Sequence, residues 1–363
     1  MHIPDGYLSP STCTVMFAGA IPFWYVAIQR LKKVLNARLI PRIALLSALS
    51  FVIMMFNVPL PGGTTGHAVG MGILAVLLGP WASMLAISIA LAIQALFFGD
   101  GGITCFGANC FNMAIAGSLV AYGVYRLISA SASLASPRRI VAAALAGYIA
   151  INVSAFFASI EFGVQPMLFH HADGSPLYAP YPLYISIPAM MIGHLSFAGI
   201  VEAVIAGSLV AYLQKTDIEL LRITAPGVSD TEPAIPEAIV INLRPLWLIL
   251  AALMVLSPLG LLAAGSAWGE WSAEDLKNPE IRKQITIASR NMAPPENPPT
   301  GLEMLSSFWT APMPDYAPSI VKSPQLGYLL SALFGTGVIL LLWFLFSWLL
   351  ERIVSVSLRT PKS

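Results

Sequence analysis

Nine apolar stretches, most of them about 20 residues long, limit what this chain can fold into. The core of a bilayer offers no water to the main chain, so such stretches form helices, in which the interior N–H and C=O groups pair with each other. The composition agrees, because 57% of the 363 residues are hydrophobic, 10% are charged and the mean hydropathy is +0.76. We predict an all-α integral membrane protein built as a multi-span helical bundle, with helices at 12–30, 43–60, 66–78, 81–98, 108–127, 140–161, 184–213, 246–264 and 326–350.

The third of these stretches, 66–78, is short and rich in glycine. It predicts either half a span or a helix packed wholly inside protein. The net charge of +1 argues against a nucleic-acid partner. The three cysteines, Cys13, Cys105 and Cys110, give no disulfide framework and are interpreted as buried free thiols.

The distribution of Lys and Arg predicts the orientation of the spans. If the amino terminus is outside, 14 of the 19 basic residues fall on inner segments. The remaining five all lie in one long outer segment, 265–324, where the positive-inside bias weakens. We therefore predict an outer amino terminus and an inner carboxyl terminus.

The first ten residues form a candidate metal-binding arm. They lack the basic region of a secretory signal, and prolines interrupt them, so Met1 is expected to persist with a free amine. This amine, the amide nitrogen of His2 and the His2 imidazole can close fused five- and six-membered rings on one cation. Three nitrogens in a plane suit Cu(II) or Ni(II), whereas Zn(II) prefers a tetrahedron. The alternative is that His2 is an ordinary terminal histidine in water.

His67 is the candidate for the fourth ligand. It ends the run Pro-Gly-Gly-Thr-Thr-Gly-His, at the outer ends of the second and third predicted helices and on the same side as Met1. A histidine near a membrane face is costly unless it has a partner. The alternative partner is a main-chain carbonyl.

Three separated motifs carry a resemblance to a known family. They are Met1 to Pro10, the Gly-Gly-Thr-Thr-Gly-His run ending at His67, and Gln94 to Asn112. In order and spacing they resemble the CbiM/NikM family, the substrate-binding (S) components of energy-coupling factor transporters, over about residues 1–213. The resemblance implies about seven helices in this core. It also implies that Met1, His2 and His67 bind Ni(II) or Co(II) in a square plane, as transported substrate and not as a catalytic cofactor.

The resemblance also implies partners. An S component works in the cytoplasmic membrane with a transmembrane coupling (T) subunit and two cytoplasmic ATPase subunits. The sequence has no Gly-x-x-x-x-Gly-Lys-Ser/Thr phosphate loop, so we expect no ATP hydrolysis by this chain itself.

Several polar residues outside the three proposed ligands have two interpretations each. The glycine-rich loop 99–109 is expected to cap the site, and Asn109 and Asn112 either orient His67 or cap a helix. His194 and Glu202 lie about 12 Å apart along one helix, so we expect independent hydrogen bonds and not a joint site. The loop cluster of His170, His171 and Asp173 is expected to be solvated.

Small residues repeat every four positions along the seventh predicted helix, which makes a flat face for a neighbouring helix. That neighbour lies in this chain or in another subunit, and we expect contacts with the coupling subunit to use such faces. The face consists of Gly199, Ala203, Gly207 and Ala211.

Residues beyond 213 have a different character. Residues 214–243 are interpreted as an inner-side linker, with Pro226, Pro233 and Pro236. Residues 244–363 form two spans around the outer segment 265–324 and resemble the NikN type of accessory protein, more weakly than the core resembles its family. We expect the outer segment to be partly ordered at best and to be able to lie over the metal site.

The predicted function is nickel or cobalt binding and uptake, with nickel favoured because d8 Ni(II) gains most from a planar field of four nitrogens. One alternative is a membrane-embedded metalloenzyme that uses His194 and Glu202, although it lacks a His-Glu-x-x-His helix. The other is an S component for an organic vitamin.

Overall fold

The computed structural model describes residues 1–34, 39–225, 242–263 and 265–357. Seven helical segments in these ranges are long and apolar enough to cross a membrane, judged by length and composition, and Leu39–Met54 is a shorter apolar helix. The chain is an all-α, multi-pass membrane protein, as predicted.

The helices follow the predicted order. The α-helices are α1 (Pro10–Val34), α2 (Leu39–Met54), α3 (Met71–Ile93), α4 (Phe106–Asn109), α5 (Gly117–Ser129), α6 (Pro137–Leu168), α7 (Leu183–Gly193), α8 (Gly199–Thr216), α9 (Arg244–Leu256), α10 (Pro279–Ala288), α11 (Thr300–Leu305) and α12 (Pro324–Ser357). The π-helical turns are Gln94–Phe98, Cys110–Ala116 and His194–Ala198, and the 3-10 turns are Ile218–Thr224, Ser257–Leu262, Asp275–Lys277 and Pro314–Tyr316.

A glycine breaks α3 into two helices. Gly79 has φ 73° and ψ 173°, which is not helical, and Pro80 follows it. A straight helix from Met71 to Phe98 would be about 42 Å long. However, His67 before this segment and Asp100 after it both contact His2. The chain therefore folds back at Gly79, and the predicted separation of 66–78 from 81–98 is confirmed. The first of these helices begins at Met71 and not at Gly66, because Thr64–Gly66 forms a short strand, and every residue of 71–78 is buried.

The second predicted helix, 43–60, is too long at its carboxyl end. Helix α2 ends at Met54, and a short hairpin follows, in which β1 (Val58–Leu60) pairs antiparallel with β2 (Thr64–Gly66). Pro59 and Pro61 cannot continue a helix, since proline has no N–H, and Gly62 and Gly63 take positive φ in the turn. This hairpin leads directly into His67.

The small-residue face of α8 packs inside the chain against α6. A Cβ added to Gly199 would lie 2.7 Å from Asn152 Nδ2, and one added to Gly207 would lie 3.2 Å from Ala144 Cβ. Helix α6 therefore covers Gly199 and Gly207 within this chain, while Ala203 and Ala211 are half-buried, and contact of this face with a coupling subunit stays a prediction.

The outer segment 265–324 is folded, contrary to the prediction that it is partly ordered at best. It contains α10, α11 and two 3-10 turns, and Trp268, Trp271 and Tyr316 are buried in it. Ala267 forms a parallel bridge with Thr65, next to the hairpin that precedes His67. The segment therefore lies over the amino-terminal arm. Of the predicted linker, Ile218–Thr224 is a 3-10 turn, and Pro226, Pro233 and Pro236 lie outside the described residues.

Candidate metal site

The amino-terminal arm is buried inside the protein. Met1 is 2% exposed and His2 is 1% exposed, which excludes the interpretation of His2 as a solvated terminal histidine. Ile3 is held like a residue in a strand: its N–H donates to Asn109 Oδ1 at 2.8 Å, and its carbonyl accepts from Asn109 Nδ2 at 3.1 Å and from the Gly102 N–H at 2.9 Å. The arm therefore has a fixed path up to Met1 and His2.

The glycine-rich loop 99–109 contacts the arm from the other side. The Asp5 carboxylate accepts hydrogen bonds from the Ile103 N–H at 3.1 Å and the Thr104 N–H at 2.7 Å. A Cβ on Gly102 would lie 2.4 Å from the Asp5 nitrogen, so only glycine allows this approach. The loop caps the arm, as predicted.

His2 and His67 lie side by side. Their ring centroids are 4.8 Å apart with a 43° angle between the planes. The His67 Nδ1 contacts the Ala68 carbonyl at 3.0 Å, which is the alternative partner considered from the sequence. Its Nε2, like the Nε2 of His2, is buried and has no hydrogen-bond partner among the described residues. A buried nitrogen without a partner costs free energy, so both rings have capacity for a ligand.

A carboxylate and a phenol from distant parts of the chain surround His2. The His2 Nδ1 hydrogen-bonds to Asp100, whose Oδ2 accepts from the Tyr316 hydroxyl at 2.5 Å and from Gln94 Nε2 at 3.1 Å. Burial would raise the pKa of Asp100, but the His2 ring, its hydrogen bond, His67 and the Tyr316 hydroxyl outweigh burial and hold that pKa well below its usual value. Asp100 is therefore an anion beside His2.

Burial has the opposite consequence for His67. Desolvation, followed by electrostatic repulsion from His2 and the terminal amine, lowers the pKa of His67 well below its usual value. The ring is therefore neutral near pH 7, and its free Nε2 carries a lone pair that can bind a metal ion.

The Met1 amine is paired with the outer segment. It lies 3.2 Å from Glu270 Oε1, and the Met1 side chain is buried. A cavity of about 420 Å³ lies beside the arm, and its lining includes Pro4, His67, Asp100, Glu270, Asp315 and Tyr316. Its wall combines a neutral imidazole with three acidic side chains, which suits a cation.

Side chains alone do not complete a metal site. Among the described residues, no group of three or more His, Cys, Asp and Glu is arranged to hold an ion. Main-chain nitrogens are the further candidate ligands. Unlike the Ile3 N–H, the His2 N–H has no acceptor within the described part of the chain, so it is free for this use.

The two asparagines do not act on His67, so that prediction is wrong. Asn109 holds Ile3, and Asn112 Nδ2 donates to Glu161 Oε2 at 2.9 Å. Neither caps a helix start, since Asn109 is the last residue of α4 and Asn112 lies within a π-helical turn. The Asn109 side chain, 106 residues after Ile3, reaches the arm because the loop 99–109 folds back over the arm.

The other candidates stay apart, as predicted. His194 Nδ1 contacts the Met190 carbonyl at 2.8 Å, whereas Glu202 accepts from main-chain N–H groups at the start of α3, so the two form no joint site. His170, His171 and Asp173 are exposed. The three cysteines are free and buried.

Three residues that contact the site were not predicted from the sequence: Asp100, Glu270 and Tyr316. A signal existed for the first of these, because Asp5 and Asp100 are the only acidic residues among the first 160. An acidic side chain flanked by apolar spans is costly unless it has a function or a partner. Glu270 and Tyr316 lie in the runs Trp268–Trp271 and Pro314–Tyr316, which resemble the accessory protein, but their contacts with Met1 and Asp100 arise from tertiary folding.

Known proteins resemble this chain over nearly its whole length. Residues 2–220 match the CbiM family, described as the cobalt uptake substrate-specific transmembrane region, and residues 244–352 match the PDGLE domain. The fused nickel transport protein NikMN of Rhodobacter capsulatus is 55% identical over 93% of this chain and 95% of its own length. The probable fused nickel transport protein LarMN of Lactiplantibacillus plantarum is 41% identical over 94% of this chain and 96% of its own.

A solved structure also matches. The crystal structure of a truncated transition metal transporter is 52% identical, covers 60% of this chain and 99% of its own, and has a TM-score of 0.56. A family match over more than half of the chain, together with relatives that span almost all of it, leads to one conclusion. This chain belongs to the CbiM family and carries a PDGLE domain that follows the CbiM region in sequence.

Proposed function

We propose that this chain binds Ni(II), or Co(II), at its outer face and carries it across the cytoplasmic membrane as the substrate-specific subunit of an ATP-driven transporter. The observation that carries the proposal is the pair of neighbouring imidazoles, 4.8 Å apart, beside a buried terminal amine. The names of the relatives, fused nickel transport proteins, support the same substrate.

The ligands are four nitrogens. The amine of Met1, the amide and Nδ1 of His2 and the Nε2 of His67 can surround one ion in a plane. Only Nδ1 of His2 closes a six-membered ring with the His2 amide, and in this structure that atom bonds to Asp100. Loading therefore exchanges this hydrogen bond, and the ion pair between Met1 and Glu270, for metal–nitrogen bonds. The two carboxylates remain close and offset the charge of the ion.

The planar arrangement of the four nitrogens determines which divalent metal ion is preferred. Ni(II) with eight d electrons gains more from four strong in-plane nitrogens than Co(II) does, and Zn(II) loses its tetrahedron there. We infer a preference for nickel over cobalt on this ground. An ion held by four nitrogens has no open in-plane position for water, so the site suits binding and transfer, not hydrolysis.

The wider assembly belongs to the proposal as well. Residues 1–213 are the metal-binding S domain, 214–243 an inner-side linker and 244–363 a NikN-like region around the outer segment. The basic residues favour an outer amino terminus and an inner carboxyl terminus. ATP hydrolysis falls to two cytoplasmic ATPases, coupled through a transmembrane T subunit, because the sequence contains no phosphate loop.

The test is a Ni(II) titration of the purified chain in detergent, with nickel uptake by cells that contain the partner subunits as a second measurement. Removal of a ligand in His67→Ala, or extension of the chain before Met1, is expected to weaken binding by at least about tenfold, or about 1.4 kcal/mol, and to stop uptake. His170→Ala, an exposed histidine, is the matched control and keeps full affinity. Unchanged affinity in both site variants contradicts the proposal.

A further inference from the structure

We propose that Glu202 is a positioning residue for metal binding: its carboxylate holds the main chain that follows His67 and so fixes where the His67 ring stands. The proposal rests on the function proposed above and assigns a role to a buried carboxylate that this function does not use.

The contacts of Glu202 are unusually complete. In α8, on another span from His67, it is fully buried, and its Oε2 accepts from the N–H groups of Val69 and Gly70, both at 2.8 Å, while Oε1 accepts from Gly72 at 3.1 Å. A buried carboxylate is costly unless its oxygens are paired, and here both oxygens are paired with main-chain donors.

The start of α3 requires an outside acceptor. The first N–H groups of a helix have no carbonyl partner within it, and a side chain at the N-cap normally supplies one. The N-cap of α3 is Gly70, which has no side chain and takes φ +82°, so it cannot cap itself. Glu202 fills this role from a distance of more than 130 residues in sequence. The negative charge also lies favourably at a helix amino terminus.

The same contacts control His67. Val69 is two residues after His67; its N–H is held by Glu202, and its carbonyl accepts from Ser50 Oγ at 2.7 Å. On the other side of His67, the hairpin pairs Gly66 with Val58. The main chain at His67 is thus held on one side by the strand pair and on the other by Glu202. The His67 ring carries a buried Nε2 that has no hydrogen-bond partner among the described residues.

Close packing brings the carboxylate to this place. A Cβ on Gly147 of α6 would lie 3.1 Å from Glu202 Cγ, and one on Gly72 would lie 2.8 Å from Gly147 Cα. Glycines in α3 and α6 therefore allow α3, α6 and α8 to meet at the point where Glu202 reaches the helix start. A purely structural role would need the hydrogen bonds but no effect through His67, and this difference can be measured.

The experiment is a double-mutant cycle between Glu202 and His67, read by Ni(II) affinity and by the visible absorption band of planar Ni(II). In Glu202→Gln, one carboxylate oxygen becomes an NH₂ group that faces main-chain donors, so the His67 segment loses part of its hold. We expect about a tenfold loss of affinity and a weaker planar band in the wild-type background, the size found when residues that support a metal ligand are removed. In the His67→Ala background the same change is expected to alter affinity by less than about twofold, because its target is gone.

Glu161→Gln is the matched control, since Glu161 is a buried carboxylate in α6 whose side-chain hydrogen bond within the described residues is to Asn112 Nδ2. It is expected to leave both measurements unchanged. If Glu202→Gln does not fold, Glu202→Asp retains the charge with a shorter reach, and the same dependence on His67 is expected.

Each outcome decides the matter. An equal loss of affinity from the Glu202 change in both backgrounds, or no loss in either, overturns the role of Glu202 while the metal site stands. If His67→Ala alone binds Ni(II) as tightly as the wild type, the proposed function itself fails, and this result is distinct from the other two.

Discussion

The α-amine of Met1 lies 3.2 Å from Glu270 Oε1, so the first atom of the chain contacts the outer segment between its last two spans. Tyr316, from the same segment, reaches Asp100 at 2.5 Å, and Asp100 bonds to His2. Met1 and His2 are therefore held, directly or through one residue, by the PDGLE part of the chain. The two parts of the chain meet at this arm.

Asn109 and Asn112 are expected to differ sharply. Asn109→Ala removes two hydrogen bonds to Ile3, so the arm loses its fixed path, and Ni(II) affinity is expected to fall about 10- to 100-fold. Asn112→Ala removes a bond to Glu161 only and is expected to leave the affinity unchanged. Calorimetric titration of both proteins checks this. Equal losses of Ni(II) affinity would show that Asn109 does not act by holding the arm.

Gly102 is expected to tolerate no side chain. In Gly102→Ala the new Cβ would lie 2.4 Å from the Asp5 nitrogen, so the loop and the arm must separate. We expect weaker Ni(II) binding by about tenfold or more. Gly123→Ala in α5, where an added Cβ has no atom within 4 Å, is the control and is expected to bind normally. Full affinity in Gly102→Ala would mean that contact between the loop and the arm is not needed for binding.

Ni(II) affinity is expected to fall on acidification, and His67 is expected to have no part in the slope. The amine and the amide must release protons when they bind metal, so protons compete with the ion. His67 has a pKa well below its usual value and is already neutral near pH 7, so it releases none. Wild type and His67→Ala should therefore show the same slope of log affinity against pH, with the variant weaker throughout. A slope smaller by one in the variant would show that His67 is protonated in the free protein.

Tyr316→Phe is expected to destabilise the protein by about 1–3 kcal/mol. The change removes the hydroxyl that donates to Asp100 and accepts from Gln94, and it leaves buried polar groups without that partner. Tyr25→Phe in α1, whose ring is 63% exposed, is the control with almost no expected effect. Thermal unfolding in detergent measures both. Equal melting temperatures for Tyr316→Phe and wild type would contradict the proposed link between the two parts of the chain.

Hydropathy and charge predicted most of the fold, because in a membrane the apolar length of a segment largely decides its structure. The break at Gly79 was visible as a glycine before a proline between two apolar runs. The end of α2 at Met54 was not, since the apolar run continues through the hairpin to Leu60. The order of the outer segment 265–324 was also missed, because it depends on contacts with distant parts of the chain. Trp268 packs against Phe162 and Tyr181, and Trp271 is buried beside Trp268.

For the site, the predicted topology placed His67 on the same side of the membrane as Met1, and the structure places the His2 and His67 rings together. The partners of the polar groups could not be predicted. Glu202 was assigned an independent hydrogen bond, but nothing in the sequence pointed to main-chain N–H groups 130 residues earlier. Asn109 and Asn112 are three residues apart, yet Asn109 at the end of α4 bonds to Ile3 of the arm, whereas Asn112 in the π-helical turn that follows bonds to Glu161.

The central claim is that the terminal amine of Met1, with His2 and His67, binds the ion. X-ray absorption at the nickel edge of the loaded, purified protein tests it most directly. We expect the pre-edge signature of a planar site with four nitrogen neighbours. This signature is expected to change when the amine is blocked by acetylation. An octahedral site rich in oxygen, unaffected by that modification, would contradict it.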